Sequence, residues 1–465
     1  MNRPHGRAIA RGLVIGALLV PAAACSGLLE VDEEEFIPPE VVNDPKALPN
    51  LVAGAISDFR VAYSGGGLDD EFLSNTANFT DEFRSSDTFP TRTATDMREQ
   101  LPAQLGNTID SAYFRHHRAR RALNHAADAV EQVAGAGDVR IAELRALQGY
   151  THIALAEGFC SGIRFSATDP SGQDRTDGPP VPTLAVFDAA VALFDEALGI
   201  DPDFHLAKIG KGRALLARGE FAAAAAAVAG VPTGFVYLIE HSDNSDAQQN
   251  PMFNLNISNE RYTLSEREGT NGLNFRSAND PRVPWRDDLG GGFLASVPLF
   301  ENRLYNDFSV GVPLADGLEA RLIEAEALLN AGNAAGWLPA LNALRANLIT
   351  IMEARFADYE EKLEESDVTA TSLAPLADPG TLTARVDLMF RERAFWLFNT
   401  GRRLGDLRRL VRITAPGYAR TPDSIFPAGT YHKGGTYGND VAWPIPANEE
   451  NNPNFSPSGC NVEQA

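Results

Sequence analysis

Phe89, Arg92, Trp285, Phe293 and Tyr305 stand in stretches rich in Asn, Asp, Gly, Ser and Pro, and their side-chain types suit one chemistry. Flat aromatic faces pack on the apolar faces of pyranose rings, while amides, carboxylates and guanidinium groups hydrogen-bond the hydroxyls. Phe89 and Arg92 lie in SSDTFPTRTATD, Trp285 precedes Arg286 and Asp287, and Tyr305 precedes Asn306. These five are the ligand-contact candidates. Ordinary loop packing competes for each of them, and Trp285 could equally be a core residue.

Catalytic chemistry finds less support. Eight histidines include no HExxH, and the adjacent His116 and His117 project about 100° apart on a helix, a poor metal pair. Their expected place is at the surface or in partly buried packing. IGKGRA at 209–214 lacks the spacing and the Lys-Ser/Thr of a phosphate loop. Sixty-two carboxylates guarantee chance pairs, so no glycosidase pair can be picked out. No cofactor motif is present; acidic loops could take up calcium without one.

Residues 391–412, RERAFWLFNTGRRLGDLRRLVR, hold seven arginines and two acids in a chain of net charge −22. That overall charge opposes a nucleic-acid role, which rests on clustered cations and counterion release. Val386, Met389, Phe390, Ala394 and Leu397 mark one apolar helix face, which places Arg391, Glu392 and Arg393 on its polar flank. Gly401 is a natural helix end, and Arg402 and Asp406 form an i,i+4 pair.

The first 24 residues read as a secretory signal. Arg3, Arg7 and Arg11 precede a twelve-residue apolar run, too short to span a bilayer, that closes on AAAC. This is similar to a lipobox, with cleavage before Cys25 and lipidation of its thiol; two or more acyl chains would anchor it stably. Simple cleavage at the alanines is the rival. Residues 25–44, acidic and proline-bearing, read as a solvated tether. The other two cysteines, Cys160 and Cys460, are expected to pair in an oxidising compartment, contributing roughly 4–5 kcal/mol by loop closure.

The remainder, 45–465, reads as one domain. Helical stretches are expected near 45–64, 106–133, 140–158, 184–232, 314–331, 334–363, 382–400 and 402–412. In 184–232 the spacing of Ala190, Phe194, Ala197, Leu198 and Pro202, then Gly212 and the turn at Gly219, is similar to tetratricopeptide repeats, whose helix pairs must stack. Residues 233–313 form an irregular insertion with short strands at 235–241 and 261–267, and 413–465 an irregular tail. Loops of this length in compact proteins are usually functional or disordered.

Six stretches in order resemble the SusD/RagB family of outer-membrane nutrient-binding lipoproteins. They are the Cys25 start with LEV at 29–31, AELRALQGYTHIALAEGF at 142–159, NDPRVPW at 279–285, ARLIEAEALLNAGN at 320–333, the arginine segment, and WPIPANEENNPNF at 443–455. The resemblance spans almost the whole mature chain. It implies a mainly α fold: a SusD-like tetratricopeptide-type scaffold with long irregular, partly β insertions. It implies that Arg393, Arg402, Asp406, Arg408 and Arg409 are structural. It also implies a non-enzymatic, outward-facing lipoprotein that captures oligosaccharides or other nutrients as a lid over a SusC-like TonB-dependent transporter. An assembly scaffold in the outer membrane is the second reading, and an exported glycoside hydrolase the third.

Overall fold

The structure, a computed structural model, describes residues 44–99, 108–168, 175–455 and 459–465. The expected signal, Cys25 and all but the last residue of the tether lie outside the described residues. Fourteen helices are labelled here: α1 Leu48–Ser64, α2 Phe72–Phe79, α3 Pro90–Asp96, α4 Ile109–Ala134, α5 Val139–Gly158, α6 Thr183–Ile200, α7 His205–Ala217, α8 Phe221–Val228, α9 Gly317–Asn330, α10 Ala334–Ala346, α11 Leu348–Arg355, α12 Tyr359–Glu364, α13 Leu382–Trp396 and α14 Arg403–Arg412. The strands are β1 Phe83–Ser85, β2 Ile163–Arg164, β3 Ala167–Thr168, β4 Arg175–Thr176, β5 Pro180–Val181, β6 Val236–Ile239, β7 Tyr262–Leu264, β8 Trp285–Gly291, β9 Pro298–Asn302 and β10 Val312–Asp316. The fold is mainly α, with small β pieces confined to the connections.

Helices α4 to α8 pack in sequence, α1 lies on α4, and α9 continues the array against α8 and α7. α5 and α7 are buried nearly all round between their neighbours, so the units bury surface by stacking. The contact that sets their spacing is Phe194 of α6. A Cβ at Gly149 of α5 would fall 2.7 Å from that ring, and one at Gly210 of α7 2.3 Å from it. Hydrogen at both positions lets three helices close on one phenyl ring.

The strands make five two-stranded antiparallel ladders, β1–β7, β6–β10, β2–β5, β3–β4 and β8–β9. β1 pairs Phe83 with Leu264 and Ser85 with Tyr262, joining the start of the chain to the central insertion. Strands at 236–239 and 262–264 fall inside the expected segments, whereas the β8–β9 hairpin and β10 do not follow from the sequence reading. Residues 314–316, read as helix, extend β10; Asp316 then caps α9 by accepting from the Glu319 amide at 2.7 Å. The expected helix at 334–363 is three helices, with Asp358 in the left-handed region at φ 58° before α12.

Among the described residues no helix is long and apolar enough to cross a membrane. Trp337, Trp396 and Trp443 are fully buried in one continuous core that also takes in residues of the tail. Cys160 and Cys460 are joined, with Cα atoms 5.2 Å apart and a sequence separation of 300. The same junction is zipped by backbone, since the Cys160 amide donates to the Trp443 carbonyl at 2.8 Å.

Candidate functional site

The arginine segment lies inside the scaffold. Arg393 grips Asp406 through two bonds, Nε to Oδ2 at 2.7 Å and Nη2 to Oδ1 at 2.9 Å. Arg409 forks onto Glu326 at 2.6 and 3.0 Å and reaches Asp406 Oδ1 at 3.0 Å. Burial by itself would raise the Asp406 carboxyl, but Arg393 and Arg409 outweigh it and hold the group below the usual range. Arg403 forks onto Asp81. Arg408 Nη1 donates to the carbonyls of Ala156, Glu157 and Phe159 at 2.8, 2.8 and 3.0 Å, capping the C-terminus of α5.

Two expectations fail at this point. Arg402 does not pair with Asp406; it approaches Glu319 at 3.5 Å and donates to Tyr63 Oη and the Leu314 carbonyl, because Arg393 and Arg409 already occupy Asp406. Glu392 and Arg393 lie on the polar flank of the helix as expected, but that flank is buried, with Arg282 and Arg345 closing over Glu392. His116 is also fully buried, its Nδ1 2.7 Å from the Ala112 carbonyl, and burial pushes its pKa down to about 4.

The five ligand candidates separate. Tyr305 is core, 1% exposed; its hydroxyl donates to the Asn399 carbonyl at 2.9 Å, so it offers no face to a ligand. Arg92 is buried between carboxylates, with Nε 2.7 Å from Asp70 and Nη1 on Asp87. Trp285 is half-buried, donating Nε1 to the Arg276 carbonyl at 3.3 Å and meeting Phe300 edge-on.

Phe89 and Phe293 behave differently, being 50% and 47% exposed. They come from distant parts of the chain and flank one guanidinium. Arg261 lies 3.5 Å from the Phe293 centroid and 5.3 Å from that of Phe89. A cation over an aromatic face is attracted to its quadrupole, so the three side chains hold one another in place.

Local chemistry explains the platform. Phe89 precedes Pro90 at the first turn of α3, where proline suits the helix start. Asp87 Oδ1 accepts the Thr88 and Phe89 amides at 2.6 and 3.1 Å and the Arg261 guanidinium at 3.1 Å. Burial raises Asp87, but the Arg92 bond and these amides win and keep it ionised. Beneath it, Lys433 Nζ donates to the Asp87 carbonyl at 2.8 Å.

Phe293 arrives on the β8–β9 connection, whose backbone docks onto the same base. Its amide donates to the Glu260 carbonyl at 2.9 Å, and that of Leu294 to the Ser86 carbonyl at 2.6 Å. Glycine at 292 permits this approach, because a Cβ there would stand 2.4 Å from that of Ser86. The platform is thus two aromatic faces with a cation between them, on a hydrogen-bonded base. Such an arrangement can stack sugar rings and bind hydroxyls. Among the described residues no three His, Cys, Asp or Glu side chains gather as metal ligands do.

Arg261 and Asp87 escaped the sequence reading. Asp87 carried a local signal, an acid two residues before Phe-Pro at a helix start; Arg261 carried none, since its partners Phe89 and Phe293 lie 172 and 32 residues away along the chain.

A tetratricopeptide-repeat family model matches residues 187–233, covering α6, α7 and α8. No curated protein matches the sequence. Solved structures do match the fold. A SusD superfamily protein from Bacteroides thetaiotaomicron has 15% identity and a TM-score of 0.61, covering 88% of this chain and 99% of its own. A SusD-like carbohydrate binding protein from Bacteroides vulgatus has 15% identity and a TM-score of 0.54, covering 78% and 83%. A laminarin binding SusD-like protein has 16% identity and a TM-score of 0.53, covering 89% and 100%. A tetratricopeptide array joined to an irregular, partly β half, along nearly the full length of these proteins, is the SusD fold, and this chain has it.

Proposed function

We propose that this protein binds oligosaccharide at the Phe89–Arg261–Phe293 platform. The observation that carries the proposal is the pair of half-exposed phenyl faces held around one guanidinium by a buried hydrogen-bonded base. Two SusD-fold neighbours described as carbohydrate- and laminarin-binding support a glycan as the ligand class. Binding without turnover fits the platform, which presents two rings and a paired arginine to solvent. In this reading the chain is a lipid-anchored capture subunit at the cell surface, lying as a lid over a SusC-like TonB-dependent transporter. The lipobox-like AAAC at 22–25 supports the anchor.

The test is titration calorimetry with neutral oligosaccharides, β-glucans first. Phe89→Ala and Phe293→Ala are each expected to weaken binding at least tenfold while thermal unfolding stays unchanged. Unaltered affinity in both variants would refute the platform. Co-purification of a large β-barrel with the full-length protein from solubilised membranes tests the lid; barrel-assembly proteins in its place would oppose it.

A further inference from the structure

On α4, Phe114, His117, Arg118, Arg121 and His125 lie at spacings of three, four, seven and eleven residues and so form one stripe. The stripe faces Arg164 and Ser166 across a cleft of about 560 Å³. Arg120 lines the same cleft, which makes four guanidinium groups; Glu449 is the one carboxylate among the described lining residues. In a chain of net charge −22 such a local excess of cations is unusual.

These arginines are set in place. Arg120 Nη2 donates to the Ser166 carbonyl at 2.7 Å and its guanidinium lies over Phe165. Arg164 is 2% exposed and lies 4.8 Å from the Phe455 centroid. Yet Arg164 Nη1 and Arg120 Nε are buried donors that meet no acceptor among the described residues. A buried guanidinium donor left unmet costs free energy, and an oxyanion is the group that would satisfy it. Burial, then Arg121, lower the pKa of His125, so its imidazole is neutral at pH 7 and suits hydroxyls. Phe114, 39% exposed, adds a ring face at one end of the stripe.

We propose that this cleft is a second ligand site, which holds the carboxylate or sulfate group of an acidic saccharide. Guanidinium groups take the oxyanion, the imidazoles take neighbouring hydroxyls, and Phe114 takes the sugar face. No part of the Phe89–Phe293 platform contributes to it.

The experiment compares tetragalacturonate, a neutral tetrasaccharide of similar size and inorganic sulfate, by titration calorimetry on the full chain. Arg118→Gln and Arg121→Gln are made together. Arg118 is a safe position, because its side chain is 76% exposed and its ion pair with Asp58 is a surface contact. Expected are binding of the uronate at least tenfold tighter than the neutral sugar, weakening with added salt, and a tenfold or greater loss in the double variant without change in thermal unfolding. Phe89→Ala should leave uronate affinity unchanged, which separates this site from the platform. Equal affinity for charged and neutral sugars in the Phe89→Ala chain, where the platform is disabled, or uronate binding untouched in the double variant, overturns the proposal. Sulfate binding as tightly as the uronate overturns the assignment to a saccharide.

Discussion

Single residues in this protein act mainly through charge placed out of water. Asp406 serves two arginines at once, so Asp406→Ala leaves Arg393 buried without its fork partner. The expected loss is about 3–5 kcal/mol of stability, read from urea unfolding. Glu71 and Glu82 illustrate the opposite balance. Burial raises both to about 8, despite Ser111 and Arg115 at the first and the Asn399 amide at the second. Carboxyls raised in the folded state hold their protons while the unfolded chain releases them. Their contribution is therefore full below pH about 4.5 and is lost as pH rises toward 8. The unfolding free energy should fall across that window, by up to about 1.4 kcal/mol per pH unit for each group. Glu82→Gln should flatten the slope; an unchanged slope in that variant would exclude Glu82 as a source.

At the scale of elements, close approach decides which residues are tolerated. Gly149 and Gly210 let α5 and α7 meet the Phe194 ring of α6, and neither has space for a methyl group. Gly210→Ala is expected to cost about 1–3 kcal/mol by overpacking, and Phe194→Leu in the same chain should recover part of it. Calorimetric melting of the two variants checks this; additive losses would oppose it. The repeat helices were legible because their apolar spacing and turn glycines are local signals. β10 was not, since its partner β6 lies in a separate segment and Pro313 masks the pattern, and the β8–β9 hairpin was not, since a register shift between Asp287 and Gly291 breaks its alternation.

For the whole molecule the Cys160–Cys460 bond joins the end of α5 to the tail across 300 residues. Removing it with paired serines should lower stability by about 3–5 kcal/mol, by releasing the unfolded chain. The tail should then become susceptible to limited proteolysis near 455–465, while α6 to α8 keep their protection. Mass spectrometry of the fragments reads this directly; loss of the repeat helices first would contradict it.

Local sequence was enough for the helical scaffold and the repeat at 184–232, because periodicity and residue type act within a few turns, whereas the structural character of the arginine segment came from its resemblance to the SusD/RagB pattern. Local sequence also picked out Phe89 and Phe293 as aromatic loop residues. Tertiary structure alone decided that those two meet around Arg261, that Tyr305 and Arg92 are buried, and which carboxylate each arginine takes. Such contacts join residues up to hundreds of positions apart. No local pattern encodes them, because they follow from how the packed helices bring distant loops to one surface.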